Sequence, residues 1–266
     1  MNKKIVLGLV AAAVLVLAGF GLLSGKDSED ASKSSLEVIK ENGVIRIGTE
    51  GTYAPFTFYN EQNELTGFDV ELAREVAKRI GVTAEFVETK WDGMFAGLDS
   101  ERFDLVANQV TIKADRIEKY DFSLPYIKTR AVLVVHEDND NIKAFEDLEG
   151  KKSGQSLTSN LAELATSYGA EIVQIDGFNQ AIDLILSERI DATINDRLSY
   201  LDFKLERPDA KIKVVAEQAT SSEAAFLFNK GNEELVEAIN TAMEEMFADG
   251  TYLEISERWF GDDVSK

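Results

Sequence analysis

Residues able to build a covalent or metal-centred site are scarce in this chain. It has no cysteine and a single histidine, His136. Disulfides and thiolate zinc sites are therefore excluded, as is a histidine-rich one. A nucleophilic triad would have to use His136, and no G-x-S-x-G elbow accompanies it. His136 closes the apolar run 131–135 and reads as an ordinary strand-end residue. What remains is non-covalent recognition by carboxylates, amides and hydroxyls. Two stretches concentrate such groups at matched spacing. Ser100-Glu101-Arg102-Phe103-Asp104 leads to Asn108-Gln109, and Ser187-Glu188-Arg189-Ile190-Asp191 leads to Asn195-Asp196.

The elements around these stretches alternate in type. Residues 44–48 read as a strand. Helix 69–80 carries Val70, Ala73, Val76, Ala77 and Ile80 on one face behind an Asp69 cap, and Gly81 ends it. A strand at 84–87, a short helix at 93–98 and a strand at 103–107 follow. This βαβα order predicts α/β sheets with parallel strands. The same offset that overlays the two polar stretches puts Trp91 on Phe178 and Leu98 on Ile185. It also lays the strand at Phe86 over one at Val173, each after a helix that ends near a glycine, Gly81 or Gly169. Two similar lobes facing each other across a cleft are expected. Ligands of open α/β sheets sit beyond the carboxyl ends of the strands, which aims Asn108-Gln109 and Asn195-Asp196 into that cleft. The first lobe is assigned to 36–128 and the second to 129–220. The tail, 221–266, holds a strand at 224–228 and a helix at 233–248. It is expected to return to the first lobe, and the resulting pair of crossings would form a hinge.

The 266 residues carry a net charge of −20, and 44% are hydrophobic. Such an acidic chain lacks the basic face needed to displace counterions from a phosphate backbone, so nucleic acid is excluded as a partner. Lys3-Lys4 precede an apolar run over 5–23. Residues 1–23 therefore read as a signal peptide or a signal anchor, and 24–35 as a flexible tether. Leu17-Ala18-Gly19 resembles the start of a lipoprotein cleavage box, but Phe20 stands at the place of the lipid-bearing cysteine. The folded part is expected outside the cytoplasmic membrane, without a lipid.

Several motifs, in order, resemble one family. Residues 48–56 (GTEGTYAPF), 67–73 (GFDVELA), 121–126 (DFSLPY) and 248–252 (ADGTY) resemble the polar amino-acid-binding proteins of bacterial ABC importers, solute-binding protein family 3. Residues 89–98 (TKWDGMFAGL), 107–111 (ANQVT) and 156–160 (SLTSN) look like its cystine-binding branch. Asn108-Gln109 stand where many members carry serines, which argues against a generic basic amino acid. The resemblance implies a two-lobed, periplasmic-binding-protein-like (type II) α/β fold with hinge-linked lobes. Each lobe is expected to hold a central, mostly parallel sheet.

The resemblance also implies a site. A free amino acid presents a carboxylate and an ammonium on one carbon. Arg116 matches the family's carboxylate-binding arginine, whose planar fork suits that group. Asp196 matches the ammonium-binding aspartate, with Thr111 and the backbone at Gln109 in support. Thr158 and Ser159, at an expected helix start, add donors to the carboxylate. Tyr53, Phe56 and Trp91 supply aromatic faces for the ligand body, and Glu50 is a candidate for a polar distal group. No metal or cofactor is expected. The implied partners are a free amino acid, L-cystine before glutamine or histidine, and a membrane permease, with the chain itself monomeric. Two other classes stand as alternatives: a same-fold dehydratase of cyclohexadienyl acids, with Glu50 or Asp196 as acid or base, and a sensory module.

Overall fold

The structure, a computed structural model, describes residues 33–266. The segment 1–23 and most of the tether lie outside the described residues. The tether stops short of its assigned end, because Ser34 caps α1 (Ser35–Asn42) in a reciprocal capping box with Glu37. β1 (Val44–Thr49) then enters a small hairpin sheet of β2 (Thr52–Tyr53), β3 (Thr57–Tyr59) and β4 (Leu65–Thr66). α2 (Phe68–Arg79) starts from Gly67, not from an Asp69 cap. Gly67 has φ 126°, and a Cβ there would lie 2.2 Å from the Phe56 carbonyl oxygen, so only glycine fits. The Asp69 carboxylate is fully buried and serves the site described below.

β5 (Thr83–Glu88), α3 (Trp91–Asp99), β6 (Leu105–Thr111), α4 (Ala114–Ile117), β7 (Tyr120–Phe122) and β8 (Ile127–Thr129) follow. Beyond Arg130 come β9 (Ala131–His136), β10 (Lys152–Gln155), α5 (Asn160–Ser167) and β11 (Glu171–Gln174). Next are α6 (Phe178–Leu186), β12 (Ala192–Asp196), α7 (Arg197–Glu206) and β13 (Ile212–Glu217). The chain ends with β14 (Ser222–Asn229), α8 (Glu233–Asp249) and α9 (Thr251–Phe260).

Two larger sheets result. The first runs β5-β1-β6-β14-β7, with β8 also on β14; the second runs β11-β10-β12-β9-β13. At the heart of each, three strands are parallel: β5, β1 and β6 in one, β11, β10 and β12 in the other. The fourth strand, β14 or β9, is antiparallel in both. Each sheet is thus mostly parallel in strand direction with one opposed strand, β14 or β9, because each takes in a strand that arrives by crossing between lobes. The crossings are 129–131 and 217–222, and Gln218 N–H donates to the Ala131 carbonyl at 2.9 Å where they run side by side.

Both faces of each sheet are covered. In the first lobe α2, α8 and α9 pack one face through Phe68, Leu72, Ile239, Met243 and Tyr252, while α3 packs the other through Met94 and Leu98, joined by Phe103 from the turn after it. The second lobe divides its core in the same way around Phe178, Ile182 and Ile185 on one side and Leu133, Ile142 and Leu148 on the other.

The sequence echo is a repeat of backbone structure. Glu101 and Glu188 both adopt left-handed conformations, φ 56° and 55°. Ser100 Oγ and Ser187 Oγ each donate to a helix carbonyl at 2.8 Å, of Ala96 and Asp183. Asp104 accepts from Arg46 N–H at 2.7 Å, and Asp191 from Lys152 N–H at 2.8 Å. Each aspartate thereby docks the incoming strand onto the middle one of the three parallel strands, β1 or β10. The recurring Ser-Glu-Arg-x-Asp is a helix-to-strand turn used once per lobe.

Candidate functional site

The second lobe contributes its polar groups as expected from a strand end. β12 stops at Asp196, which caps α7: Leu198 N–H donates to Oδ1 at 2.7 Å, joined by Thr129 Oγ at 3.2 Å. Ser159 caps α5, accepting from Ala162 N–H at 3.0 Å.

The first lobe works differently. Its strand does not end before Asn108-Gln109 but runs on to Thr111, with a bulge. Val106 faces Leu227 and Val110 faces Ala225, so 107–109 oppose Phe226 alone. Gln109 sits at φ 50°, and its N–H leaves the sheet for Asp69 Oδ2 at 2.5 Å. Tyr126 donates to the same oxygen at 2.8 Å. Held in this way, Gln109 reaches across the cleft, and its Nε2 donates to Asp196 Oδ2 at 2.8 Å. Tyr53 crosses beside it, donating to Asn195 Oδ1 at 3.1 Å. Asn108 turns to Glu50: its Nδ2 donates to Glu50 Oε2 at 2.6 Å, and Glu50 N–H donates back to Asn108 Oδ1 at 2.8 Å.

These groups surround an interlobe cavity of about 830 Å³, mouth included. Of the residues singled out from sequence, Glu50, Tyr53, Trp91, Gln109 and Thr111 line it from the first lobe, and Ser159 and Asp196 from the second. Arg116 stands just behind the wall. Its Nη1 donates to the Thr111 carbonyl at 3.0 Å, and its guanidinium lies over the rings of Trp91 (5.4 Å) and Phe95 (5.1 Å). Its Nη2 is buried without a hydrogen-bond partner.

Two expectations are corrected. Phe56 is fully buried in the first-lobe core, 5.1 Å from the Tyr53 ring and 6.1 Å from Phe260, and does not line the cavity. The reason is Gly67, whose missing side chain lets α2 close over it. Thr158 is also off the cavity, because its N–H and hydroxyl both donate to Asp92 Oδ1 at 3.0 Å. Asn108 and Asn195, aimed into the cleft by the strand ends, do line it, whereas Phe178, Ser156, Gln218 and Ser222 were missed. The echo held the signal for Phe178, which overlays Trp91. Gln218 and Ser222 lie on a crossing segment, which carries no motif.

Acid dominates the electrostatics. Burial pushes the carboxyls of Glu50 and Asp69 up to about 7 and that of Asp196 up to about 6, against the hydrogen bonds that favour their ionised forms. Burial pulls the Arg116 guanidinium down to about 10, opposed by the charges of Asp115 and Glu163, and leaves it charged at neutral pH. Among the described residues no cluster of His, Cys, Asp and Glu could hold a metal ion. A carboxyl raised on folding takes up protons in the native state, so its stabilising share is full below its unfolded value near 4 and is lost as pH rises through about 6–7. The ligand-free protein is therefore expected to gain several degrees of melting temperature on going from pH 7.5 to pH 5.5, measured by calorimetry.

The lobes are drawn together around the cavity. Besides Gln109–Asp196 and Tyr53–Asn195, Ser199 Oγ donates to the Ala54 carbonyl at 3.0 Å, and Lys90 pairs with Asp176 and Lys113 with Glu163, both at 2.7 Å.

Comparison with known proteins gives a consistent result. The family described as bacterial extracellular solute-binding proteins, family 3, matches residues 45–262. The L-cystine-binding protein TcyA of Bacillus subtilis (strain 168) is 44% identical, covering 100% of both chains. An ancestral arginine-binding protein bound to glutamine superposes with a TM-score of 0.79 at 39% identity, over 83% of this chain and 99% of that one. The L-cystine solute receptor of Neisseria gonorrhoeae, in an unliganded open conformation, is 45% identical over 88% of this chain and 100% of its own, yet its TM-score is 0.58. A more similar sequence with a poorer superposition agrees with lobes that are closed here and apart there.

Proposed function

The chain belongs to the bacterial extracellular solute-binding proteins of family 3, and from that premise we propose that it captures free L-cystine between its lobes for an ABC permease. The observation that carries the proposal is a cavity with acid at two places and a buried, incompletely bonded guanidinium behind its wall. Cystine has two ammonium–carboxylate heads. Asp196 would take one ammonium, and Glu50, held by Asn108 and the start of α3, would take the other. Arg116 Nη2, with the Ser159 end of α5, would take a carboxylate. The rings of Tyr53, Trp91 and Phe178 would enclose the disulfide body, since thioether-like sulfur packs well against aromatic edges. TcyA, similar over its whole length and named for L-cystine binding, supports the choice of ligand.

Closure is the mechanism. Ligand held on the first lobe gains contacts with the second only when the cleft shuts, so it favours the closed form by that difference. The protein acts as a monomer that binds and releases its ligand unchanged. It works outside the cytoplasmic membrane, in keeping with its extracellular family; among the described residues no helix is long and apolar enough to span a membrane.

Isothermal titration with L-cystine, L-arginine, L-glutamine and L-histidine tests the proposal. One-to-one binding is expected, with cystine preferred by at least about tenfold, which is 1.4 kcal/mol. A clear preference for another of the four would replace cystine. Silence from all of them, or loss of cystine on incubation, would overturn the binding reading.

A further inference from the structure

Asp92 lies in the first turn of α3, next to the cavity-lining Trp91. Its carboxylate points away from the cavity and across to the second lobe. Oδ1 accepts from Thr158 N–H and Thr158 Oγ, both at 3.0 Å, and Oδ2 accepts from Gln174 Nε2 at 3.2 Å. One side chain thus holds the loop after β10 and the end of β11 at once. Thr158 immediately precedes Ser159, which caps α5 and lines the cavity. On each lobe, then, the bonded residue is one position from the cavity wall.

From this arrangement we infer that Asp92 is a latch, a positioning residue that sets how firmly the lobes stay shut without touching the ligand. The inference rests on the proposal that the protein works by closure. The neighbouring cross-lobe pairs are weaker candidates. Lys90 and Asp176 are both mostly exposed, and Lys113 shares its ammonium between Glu163 and its own neighbour Asp115. Ion pairs with an exposed carboxylate partner, as both of these have, are screened and entropically costly. Asp92, Thr158 and Gln174 are exposed as well, but Asp92 accepts from a backbone N–H whose direction is fixed by the fold, and a carboxylate acceptor strengthens each such bond. Its position in the first turn of α3 also suits a carboxylate whether the lobes are open or shut. Its cross-lobe bonds exist only in the closed form, so they act on opening rather than on encounter.

The cysteine-free chain makes the test direct. Lys78→Cys and Glu146→Cys, one per lobe and both exposed, accept thioether-linked dyes for interlobe energy transfer. The distance distribution and the dissociation rate are read for the labelled parent, Asp92→Ala and Asp92→Asn, with and without L-cystine. Asp92→Ala is expected to move the population toward the longer distance and to speed cystine release roughly tenfold, with association unchanged. Asp92→Asn keeps an acceptor oxygen for Thr158 and is expected to recover part of the shift. Matching distributions for parent and Asp92→Ala would overturn the latch, whether or not cystine binds. A parent whose distribution does not respond to cystine would count against the ligand proposal instead.

Discussion

Asp196→Asn is expected to weaken L-cystine binding by about thirtyfold or more while leaving the protein folded and at least as stable. The substitution keeps the shape and an acceptor oxygen, so the cap on α7 and the bond from Thr129 survive. What it removes is a buried negative charge. Without ligand that charge is held by neutral donors, Gln109, Thr129 and the Leu198 and Ser199 N–H groups, and burial raises its pKa to about 6. Relieving that desolvation offsets any loss of hydrogen-bond strength. With ligand, an ammonium inside the cavity would lose its counter-charge, a loss of about 2–5 kcal/mol for a desolvated pair. Titration calorimetry and thermal unfolding separate the two effects. Affinity of the parent should also fall as pH drops below about 6, where Asp196 gains a proton, and that dependence should fade in the variant. Unchanged affinity for Asp196→Asn would remove Asp196 from the site.

Arg116→Met carries the second large effect, and its sign differs between folding and binding. Arg116 is 4% exposed, makes one hydrogen bond through Nη1, and leaves Nη2 buried without a partner. A methionine would keep the contact with Trp91 and Phe95 and shed the cost of burying charge. The ligand-free melting temperature is expected to hold or rise by a few degrees. Cystine affinity is expected to fall by about 2–4 kcal/mol, a carboxylate having lost its charged partner. Binding that survives alongside a lowered melting temperature would mark Arg116 as a structural residue only. A group that costs stability at rest and recovers it on binding is how functional residues commonly differ from core ones.

Sequence and structure agree where periodicity and spacing decide the outcome. Helices α2 and α8 follow their apolar faces, and the repeated Ser-Glu-Arg-x-Asp turn marks the same place in both lobes. The departures have local physical causes. Asp69 has the type and position of a cap, but the close approach of Gly67 to Phe56 starts the helix earlier and frees the carboxylate to be buried. The bulge at 107–109 was invisible because it depends on which residues β14 sets opposite it, and β14 lies far along the chain. Thr158 and Ser159 are neighbours of similar chemistry, yet only Ser159 turns inward, because Asp92 claims Thr158 from the other lobe. Phe56 and Tyr53 share one motif, and packing against Phe260 assigns the first to the core.

The strand order has a consequence for how the chain is made. β6 lacks its neighbour on one side until β14 has been synthesised, whereas every strand of the second sheet falls within 131–217. The inner lobe is thus complete while the outer one, though begun first, still waits for its closing strand. Pairing across such a sequence separation is slow to find. During that interval the unpaired edge of β6, carrying the very residues meant for the ligand, is open to the wrong neighbours.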